Sequence, residues 1–292
     1  MAGQLKLTRV LVLGATGMLG NAVLRLFAES LGYEVVGSAR SAGSVHLLRD
    51  NLRTKVHVGI DVENPDILAR LFDTVRPNAV INCVGLVKQL AEANDPLSAL
   101  TTNAMLPHRL SRLCSLVDAR LVHISTDCVF TGSKGNYRES DIPDAQDLYG
   151  RSKLLGEVVD DAHTITLRTS MIGHELASAH GLVGWFLGQS GSVHGYRRAV
   201  FSGFPTVELA RVLRDYVLPN PQLQGLYHLS AAPIDKLTLL QLIATQYGHP
   251  IEIIRDDQVV IDRSLDSTRF RQATGYTPLD WPELVRRMHA FR

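Results

Sequence analysis

Three glycines at regular spacing, Gly14, Gly17 and Gly20, limit the possible folds of this chain more than any other pattern in it. They stand between an apolar, strand-like run, Arg9–Leu13, and a helix-like stretch, Met18–Leu31. Strand, glycine turn and helix in this order are the context that a dinucleotide site requires. The first glycine makes the tight turn, the second lets the backbone approach a pyrophosphate, and the third lets the helix pack close to the strand. The N-terminus of the helix then offers N–H groups and a partial positive charge to the phosphates.

Strand-like and helix-like segments alternate through the first half of the chain. The strand-like runs are Arg9–Leu13, Tyr33–Ser38, Lys55–Ile60, Ala79–Val84, Arg120–Ser125 and Thr164–Thr169. The helix-like stretches are Met18–Leu31, Pro65–Val75, Pro96–Val117 and Leu148–Val159. Pro107 should bend the third of these helices. The alternation predicts an α/β fold, a Rossmann-type doubly wound parallel sheet with both faces covered.

The later part of the chain predicts a smaller substrate-binding lobe. After Ser170 the alternation loosens, although a helix at Val207–Val217 and a strand at Leu226–Ser230 look like a return to the sheet. The expected division is a dinucleotide-binding domain at 1–170, to which 200–230 returns, and a lobe at 171–199 and 231–292.

Composition and charge argue against several classes of protein. Thirty Lys and Arg against 29 Asp and Glu leave a net charge of +1, which argues against a nucleic-acid or polybasic membrane partner. Three dispersed cysteines without a CxxC pair form neither a disulfide framework nor a zinc site, and the eleven histidines show no HExxH pattern. We find no signal peptide and no apolar run near the roughly 20 residues of a membrane helix. We therefore expect a cytoplasmic protein without a metal ion.

The residues after the second strand bear on which dinucleotide binds. An acidic side chain there would bond a ribose 2′-hydroxyl and repel a 2′-phosphate, but the chain has Ser38 and Arg40. Arginine binds phosphate with two hydrogen bonds, so we expect NADPH, with NADH as a possibility; the alternative is an arginine that only faces water. Asp61, with Val62, follows the third strand and either borders the adenine or serves as a loop residue or helix cap. The segment Asn82–Gly85 ends the fourth strand, beside the switch point where such sheets bind ligands.

A second chemical signal is Tyr149 with Lys153 four residues later. At this spacing on a helix the two side chains share one face. A nearby ammonium favours the phenolate, whose ordinary pKa is about 10, so the tyrosine can exchange a proton nearer to neutral pH. Tyr149 is the only tyrosine of the chain with a lysine four residues on, and Ser125 and Thr126 lie at a strand end between this pair and the glycine turn.

Together these motifs resemble a known family. GATGMLG, STDCVF and YGRSK, in this order, are similar to the extended short-chain dehydrogenase/reductases. STDCVFTG with the later LYGRSK and LRT resembles the dTDP-4-dehydrorhamnose reductase family, over most of the chain and least after about Ile172. The resemblance implies a Rossmann domain with a smaller sugar-nucleotide lobe. It also implies reduction of a nucleotide-linked 4-keto-6-deoxyhexose by NAD(P)H, in the synthesis of surface polysaccharide precursors. A homodimer is a further expectation.

The resemblance also implies roles for single residues. Thr126 and Tyr149 would hydrogen-bond the C4 oxygen of the sugar, and Tyr149 would protonate it as the hydride arrives. Lys153 would bind the nicotinamide ribose and lower the pKa of the tyrosine. The expected cofactor contacts are Gly14, Thr16, Gly17, Met18, Leu19, Gly20, Ser38, Arg40, Asp61, Val62, Cys83, Val84, Gly85, Tyr149 and Lys153. The expected substrate contacts are Lys88, Thr126, Asp127, Val129, Phe130 and Tyr149.

Departures from the family pattern bear on the reaction and the substrate. Asp127 and Cys128 stand where a sugar-nucleotide 4,6-dehydratase would show Asp-Glu, so dehydration is disfavoured. We interpret Cys128 as a packed thiol, since no base for it is evident. Lys88 and Gln89 depart from the dTDP-rhamnose pattern and either touch the hexose or face water.

Later residues offer weaker signals for the substrate. The segment Phe201–Thr206 resembles the glycine–proline–threonine segment that the family places near its substrate. Arg197 and Arg198 either hold the diphosphate or lie on the surface. We expect Trp185 and Phe186 to fill the core of the lobe rather than stack on a base.

Two alternative functions remain open. The first is the same chemistry on a UDP-linked N-acetylamino sugar, which the departure at Lys88 permits. The second is a non-catalytic, NADP-binding regulatory subunit, which would resemble the regulatory subunit of methionine adenosyltransferase. The intact set of Thr126, Tyr149 and Lys153 argues against the second alternative.

Overall fold

A computed structural model describes residues 7–86 and 94–292 and shows a central parallel sheet. The strands are β1 (Thr8–Leu13), β2 (Tyr33–Ala39), β3 (Val56–Val58), β4 (Ala79–Asn82), β5 (Arg120–Thr126), β6 (Thr164–Thr169), β7 (Met171–Ile172), β8 (Ser192–Tyr196), β9 (Ala199–Phe201), β10 (Phe204–Pro205), β11 (Gly225–His228), β12 (Ile234–Asp235), β13 (Glu252–Asp256) and β14 (Ile261–Asp262). Within the described residues the main sheet has the order β11-β6-β5-β4-β1-β2-β3, with parallel neighbours throughout. This order is that of a Rossmann-type sheet, so the predicted fold class is confirmed.

Helices connect these strands. They are α1 (Met18–Ala28), α2 (Ala42–Val45), α3 (Asp50–Arg53), α4 (Pro65–Val75), α5 (Pro96–Ala99), α6 (Leu106–Leu116), α7 (Leu148–Leu155), α8 (Leu182–Leu187), α9 (Thr206–Val212), α10 (Lys236–Tyr247), α11 (Thr268–Thr274) and α12 (Trp281–Ala290). The described residues also include two π-helical segments and a 3₁₀ turn, at Leu100–Met105, Leu213–Val217 and Asp127–Val129. None of the helices within the described ranges is long and apolar enough to span a bilayer.

The central sheet is covered on both faces. Successive side chains of a strand point to opposite sides, and β1 shows what this means for the core. Val10 and Val12 belong to one apolar cluster, which contains residues of α1 and α9. Leu11 and Leu13 belong to a second cluster, which contains residues of α4 and α6. All four side chains are fully buried, which explains why the strand is apolar without a break.

The helix predicted at Pro96–Val117 is interrupted, which corrects the prediction of one bent helix. The chain forms α5, then the π-helical segment, then α6. Pro107 lies in the first turn of α6, directly after the π-helical segment. The π-helical segment widens the backbone spiral at Asn103, and such segments are frequent at functional sites.

Later segments return in part to the first half of the chain. Strand β11 extends the main sheet beside β6. Outside that sheet, β8 pairs with β13, while β9 pairs with β12 and β14. Phe201 and Trp281 join the same large apolar cluster as β1 and α1, so the two parts of the chain share a core. The exact domain boundaries stay a prediction.

The two aromatic residues expected in the core of the lobe differ in burial. Phe186 is fully buried as expected, whereas Trp185 is 40% exposed and does not fill the core.

The close packing of α1 on its preceding loop yields a first prediction. A Cβ atom at Gly20 would lie 2.0 Å from the Gly14 carbonyl oxygen, which is rigid backbone. We expect Gly20→Ala to lower the free energy of unfolding by about 1–3 kcal/mol, because overpacking outweighs the gain of about 1 kcal/mol in helix propensity. Urea unfolding measures this. Gly17→Ala is the matched control, since the nearest atom that a Cβ there would meet is the Gly14 carbonyl oxygen, at 3.4 Å. Equal stability of the two variants would contradict the prediction.

Candidate active site

The carboxyl ends of the central strands bring the predicted site residues to one edge of the sheet. The glycine loop follows β1, Cys83 follows β4 and Thr126 ends β5. In open α/β sheets, ligands bind outside this edge, at the point where the strand order reverses. Here the order reverses between β1 and β4, the strands that Cys83 and the glycine loop follow.

The glycine loop has the geometry of a pyrophosphate site. Gly14 adopts a φ of +76°, and the Ala15 N–H donates to the Ser38 carbonyl at 2.9 Å, which anchors the loop on β2. Gly17 precedes α1, and no side-chain cap serves the first N–H groups of that helix within the described residues. A Cβ at Gly17 would meet only ordinary contact inside the protein. Internal packing therefore does not require this glycine, and the uncapped N–H groups fit an external phosphate.

Other residues expected near the cofactor differ in what their side chains can reach. Leu19 is buried in the main apolar cluster, so only its backbone can face a ligand. Arg40 is exposed directly after β2, with no hydrogen bond or ion pair to the described residues. The Asp61 carboxylate accepts the Glu63 N–H at 3.0 Å and closes a local turn, while Val62 packs on the second apolar cluster. Of these residues, Arg40 is the one with an exposed, charged side chain that no described residue engages.

The loop after β4 is held by two buried asparagines. Asn82 accepts the Val84 N–H at 3.1 Å. Asn103, in the π-helical segment, accepts the Leu86 N–H at 3.1 Å and donates to the Ser152 hydroxyl at 3.1 Å. Asn103 thereby ties this loop to the helix that carries Lys153, a connection that sequence reasoning missed. Burial raises the pKa of the neighbouring Cys83 to about 12, so this thiol stays neutral. Lys88 and Gln89 lie outside the described residues.

Lys153 is buried beneath the site. Its ammonium donates to the Ile124 carbonyl at 2.8 Å. Burial lowers the pKa of Lys153 to about 8, and the nearby Glu157 carboxylate opposes that effect. The group is therefore charged at pH 7 and loses its proton in a mildly alkaline range.

Tyr149 brings a buried phenol to the site. Burial raises its pKa above the ordinary value, with Cys128 and Asp127 adding to the effect, while a hydrogen bond with Thr126 acts in the opposite direction. Lys153 is not among the groups that shift this pKa, so the expectation that it lowers the pKa of Tyr149 stays a prediction. The consequence of the raised pKa is a phenol that keeps its proton at neutral pH, as a proton donor must.

Thr126 and Asp127 complete the polar part of the site. The Thr126 hydroxyl donates to Asp127 Oδ1 at 3.2 Å and accepts the Cys128 N–H at 3.1 Å. Burial raises the pKa of Asp127, while the cations Arg263 and Lys236 lower it. Sequence reasoning missed both cations, which come from the last third of the chain and carry no local motif.

Some predicted substrate residues cannot present their side chains to a ligand. Val129 and Phe130 are fully buried in a small apolar cluster with Leu265, and the Phe130 ring stacks on Tyr137 with centroids 4.1 Å apart. Any contact from these two residues has to come from the backbone.

Outside the site, Arg197 and Arg198 are exposed on the turn between β8 and β9. Among residues 7–86 and 94–292, no three His, Cys, Asp or Glu side chains form a group able to hold a metal ion.

Comparison with known proteins gives the family. The chain matches the family described as RmlD substrate binding domain over residues 8–259. The chain belongs to this family. The extended short-chain dehydrogenase/reductase resemblance is thereby confirmed.

Relatives of this RmlD-family chain include one of matching length. The dTDP-4-dehydrorhamnose reductase of Aggregatibacter actinomycetemcomitans is 24% identical over an alignment of 320 positions, gaps included. The alignment covers 98% of this chain and 99% of that protein. The probable low-salt glycan biosynthesis reductase Agl14 of Haloferax volcanii is 32% identical over 178 residues, 60% of this chain and 57% of that one. The methionine adenosyltransferase 2 subunit beta of Bos taurus is 32% identical over 153 residues, 51% of this chain and 41% of that one.

Solved structures of the same shape carry related names. The dTDP-4-dehydrorhamnose reductase from Bacillus anthracis in complex with NADP has a TM-score of 0.78 at 19% identity, covering 98% of this chain and 100% of that one. A hypothetical dTDP-4-dehydrorhamnose reductase from Sulfolobus tokodaii has a TM-score of 0.74 at 27% identity, covering 94% and 98%. The likeness extends over the central sheet and the later segments together.

The buried ammonium yields a second prediction. The pKa of Lys153 is about 8 in the fold against an ordinary 10.5, so its charge destabilises the fold below pH 8, and this penalty fades as the pH rises to 10.5. We expect Lys153→Met to raise the free energy of unfolding at pH 7 by about 1–3 kcal/mol. The Ile124 carbonyl loses its hydrogen-bond partner in this variant, which reduces the gain in stability. Urea unfolding at pH 7 and pH 10 measures the difference, which should shrink at the higher pH. The exposed Lys55, changed to Met, is the control. Lower stability of Lys153→Met at pH 7 would overturn the prediction.

Proposed function

We propose that this chain is an NADPH-dependent reductase of a nucleotide-linked 4-keto-6-deoxyhexose, similar to dTDP-4-dehydrorhamnose reductase. The observation that carries the proposal is the meeting of Thr126, Tyr149 and Lys153 at the edge of the sheet where the uncapped start of α1 also lies. The full-length likeness to the reductase of Aggregatibacter actinomycetemcomitans supports it. The role in surface-polysaccharide precursor synthesis and the cytoplasmic location belong to the same proposal. The homodimer stays a prediction.

The chemistry follows from the state of each group. NADPH, when bound, supplies the hydride that adds to C4 of the sugar. The protonated phenol of Tyr149 gives its proton to the C4 oxygen, so the ketone becomes an alcohol. Lys153, charged at pH 7 and fixed on the Ile124 carbonyl, is placed to hold the ribose hydroxyls and to stabilise the phenolate that the transfer leaves. Thr126 holds the phenol in place through their hydrogen bond.

Cofactor choice is proposed to depend on Arg40. We expect Arg40→Asp to weaken NADPH binding by about one to two decades, because a charge-assisted hydrogen bond is worth roughly 1.5–3 kcal/mol. NADH, which lacks the 2′-phosphate, should lose little affinity. Titration calorimetry with each cofactor measures both constants, and Arg70→Asp, at an exposed arginine of α4, is the control. Equal losses for the two cofactors would remove Arg40 from this role.

Catalysis itself is tested with a panel of dTDP- and UDP-linked 4-keto sugars and NADPH oxidation as the signal. Tyr149→Phe should lower kcat about 10²–10⁴-fold with NADPH affinity nearly unchanged, because only the proton donor is lost. Lys153→Met should lower both kcat and NADPH affinity. Tyr196→Phe, at a partly exposed tyrosine of β8, is the matched control. Near-normal turnover in Tyr149→Phe would exclude this residue as the acid.

The same panel decides between the alternatives. Turnover of UDP-linked N-acetylamino sugars alone would favour that substrate class. The likeness to methionine adenosyltransferase 2 subunit beta over 153 residues supports a regulatory subunit as the second candidate. In that case the chain would bind NADPH tightly and oxidise it with no sugar of the panel. Dehydration stays disfavoured, since Asp127 is followed by Cys128 and not by a glutamate.

A further inference from the structure

Two buried polar side chains lie side by side next to the loop that follows β4. Asn82 ends β4, and its partner in the register of the neighbouring strand β5 is His123. Asn82 is 1% exposed and His123 is 0% exposed, and Asn82 Nδ2 lies 3.2 Å from His123 Nδ1. The other end of the amide, Oδ1, accepts the Val84 N–H at 3.1 Å. The Asn82 amide thus connects the imidazole to the backbone of the loop.

The hydrogen bonds of Asn82 determine which imidazole nitrogen carries the proton. Within the amide only the oxygen can accept the Val84 N–H, so the NH₂ group faces His123 and must donate. His123 Nδ1 is therefore the acceptor, and the proton of the neutral ring lies on Nε2. In the other tautomer two donors would meet, and the amide could satisfy His123 only by turning its NH₂ group toward the Val84 N–H. Burial, with the charge of Lys153 adding to it, lowers the pKa of His123 well below its ordinary value and keeps the ring neutral.

Packing alone does not require a histidine at this position. The buried Nε2 of His123 has no hydrogen-bond partner among residues 7–86 and 94–292, and an unpaired buried donor is costly. A leucine would face the same side of the sheet as Leu121, a member of the second apolar cluster, and would avoid that cost. What the imidazole supplies is an acceptor at Nδ1, which no apolar side chain has.

The loop that Asn82 holds lies between two parts of the proposed cofactor site. A Cβ at Gly14 would lie 3.1 Å from Val84 Cγ2, so Val84 packs on the glycine loop. A Cβ at Gly85 would lie 3.9 Å from Lys153 Nζ, so the next residue of the loop borders the ammonium. A shift of Val84 would therefore disturb the glycine loop and the surroundings of Lys153 together.

We propose that His123 is a positioning residue for the dinucleotide: its Nε2–H tautomer orients the Asn82 amide, and this amide holds Val84 in the loop that borders the cofactor. The inference rests on the proposed function, and it adds a residue that neither the glycine turn nor the spacing of Tyr149 and Lys153 indicates. His123 acts on the cofactor only through two other residues.

The tautomer is tested by long-range ¹H–¹⁵N NMR of the histidine-labelled protein at pH 7, without cofactor or substrate. The His123 signals are identified by their absence in His123→Asn. We expect the pattern of a neutral ring that is protonated at Nε2. A ring protonated at Nδ1, or at both nitrogens, overturns the inference. This measurement uses the wild-type fold, so it decides the matter even where a variant does not fold.

Hydrogen exchange of the Val84 amide tests the link to the loop, again without cofactor. His123→Leu removes the acceptor, whereas His123→Asn keeps a carbonyl oxygen that can take the place of Nδ1. We expect protection of the Val84 N–H to fall about tenfold in His123→Leu, the equivalent of one lost hydrogen bond, and to stay near the wild-type value in His123→Asn. His194→Leu, at an exposed histidine of β8, is the control and should change nothing. Unchanged protection of Val84 in His123→Leu overturns the inference.

Titration calorimetry with NADPH tests the effect on the cofactor. The Kd should rise about tenfold in His123→Leu and stay near the wild-type value in His123→Asn and His194→Leu. In the Asn82→Ala background, His123→Leu should have no further effect, because the amide through which it acts is gone. Additive losses of affinity would overturn the inference.

Urea unfolding of the same variants separates positioning from stability. His123→Leu exchanges one unpaired donor, Nε2–H, for another on Asn82, so the free energy of unfolding should change little. A merely structural role would lower the free energy of unfolding and leave the NADPH affinity of the folded protein unchanged, and that result would overturn the inference.

None of these measurements requires turnover, so they separate this inference from the proposed function. NADPH affinity that depends on His123, in a protein that reduces no sugar of the panel, would overturn the proposed reductase and leave the positioning role standing. Turnover of a sugar, with NADPH affinity unchanged in His123→Leu, would do the reverse.

Discussion

A buried ion pair holds the sheet edge on which the chemistry depends. Arg168 on β6 and Glu157, just after α7, meet at 2.7 Å with side chains 4% and 5% exposed. Glu157 also accepts the Ser125 hydroxyl at 2.7 Å, and Arg168 reaches the ring of His228 on β11 at 3.3 Å. Removing one partner of such a pair costs about 3–5 kcal/mol, since the other stays charged and buried. The pair therefore fixes the ends of three strands and a helix relative to one another.

The same carboxylate also acts on Lys153, a residue of the proposed site. Glu157 favours the charged form of Lys153, against the burial that favours the neutral form. Without that carboxylate, the ammonium would face loss of hydration with only a carbonyl as partner. Glu157 thus stabilises the fold through its ion pair with Arg168, and it favours the charged form of Lys153. A carboxylate with two such roles is difficult to replace by an apolar side chain of equal size.

How much the sequence predicts depends on whether a signal is local. The glycine turn, the spacing of Tyr149 and Lys153, and the apolar strands each act within a few residues, and the fold class read from the alternation was correct. The connection of Asn103 to Ser152 was not predictable, because the two residues lie about fifty positions apart and no local pattern joins them. The raised pKa of Tyr149 was likewise missed, since burial depends on the whole fold while the lysine is visible in the sequence.

Gly156, which caps the end of α7, shows a consequence of this tight architecture. A Cβ there would lie 1.9 Å from the Asn103 carbonyl oxygen, at the contact between the helix of Lys153 and the π-helical segment. Position 156 is therefore closed to every other amino acid, although it lies outside the set of reacting groups. A survey of inactivating substitutions would find it as intolerant as Tyr149, if Tyr149 is the acid that we propose. Mutational sensitivity alone would then not separate Gly156, which is needed for packing, from residues proposed to act in catalysis. Measuring the stability of the fold separately from turnover would distinguish the two kinds of residue.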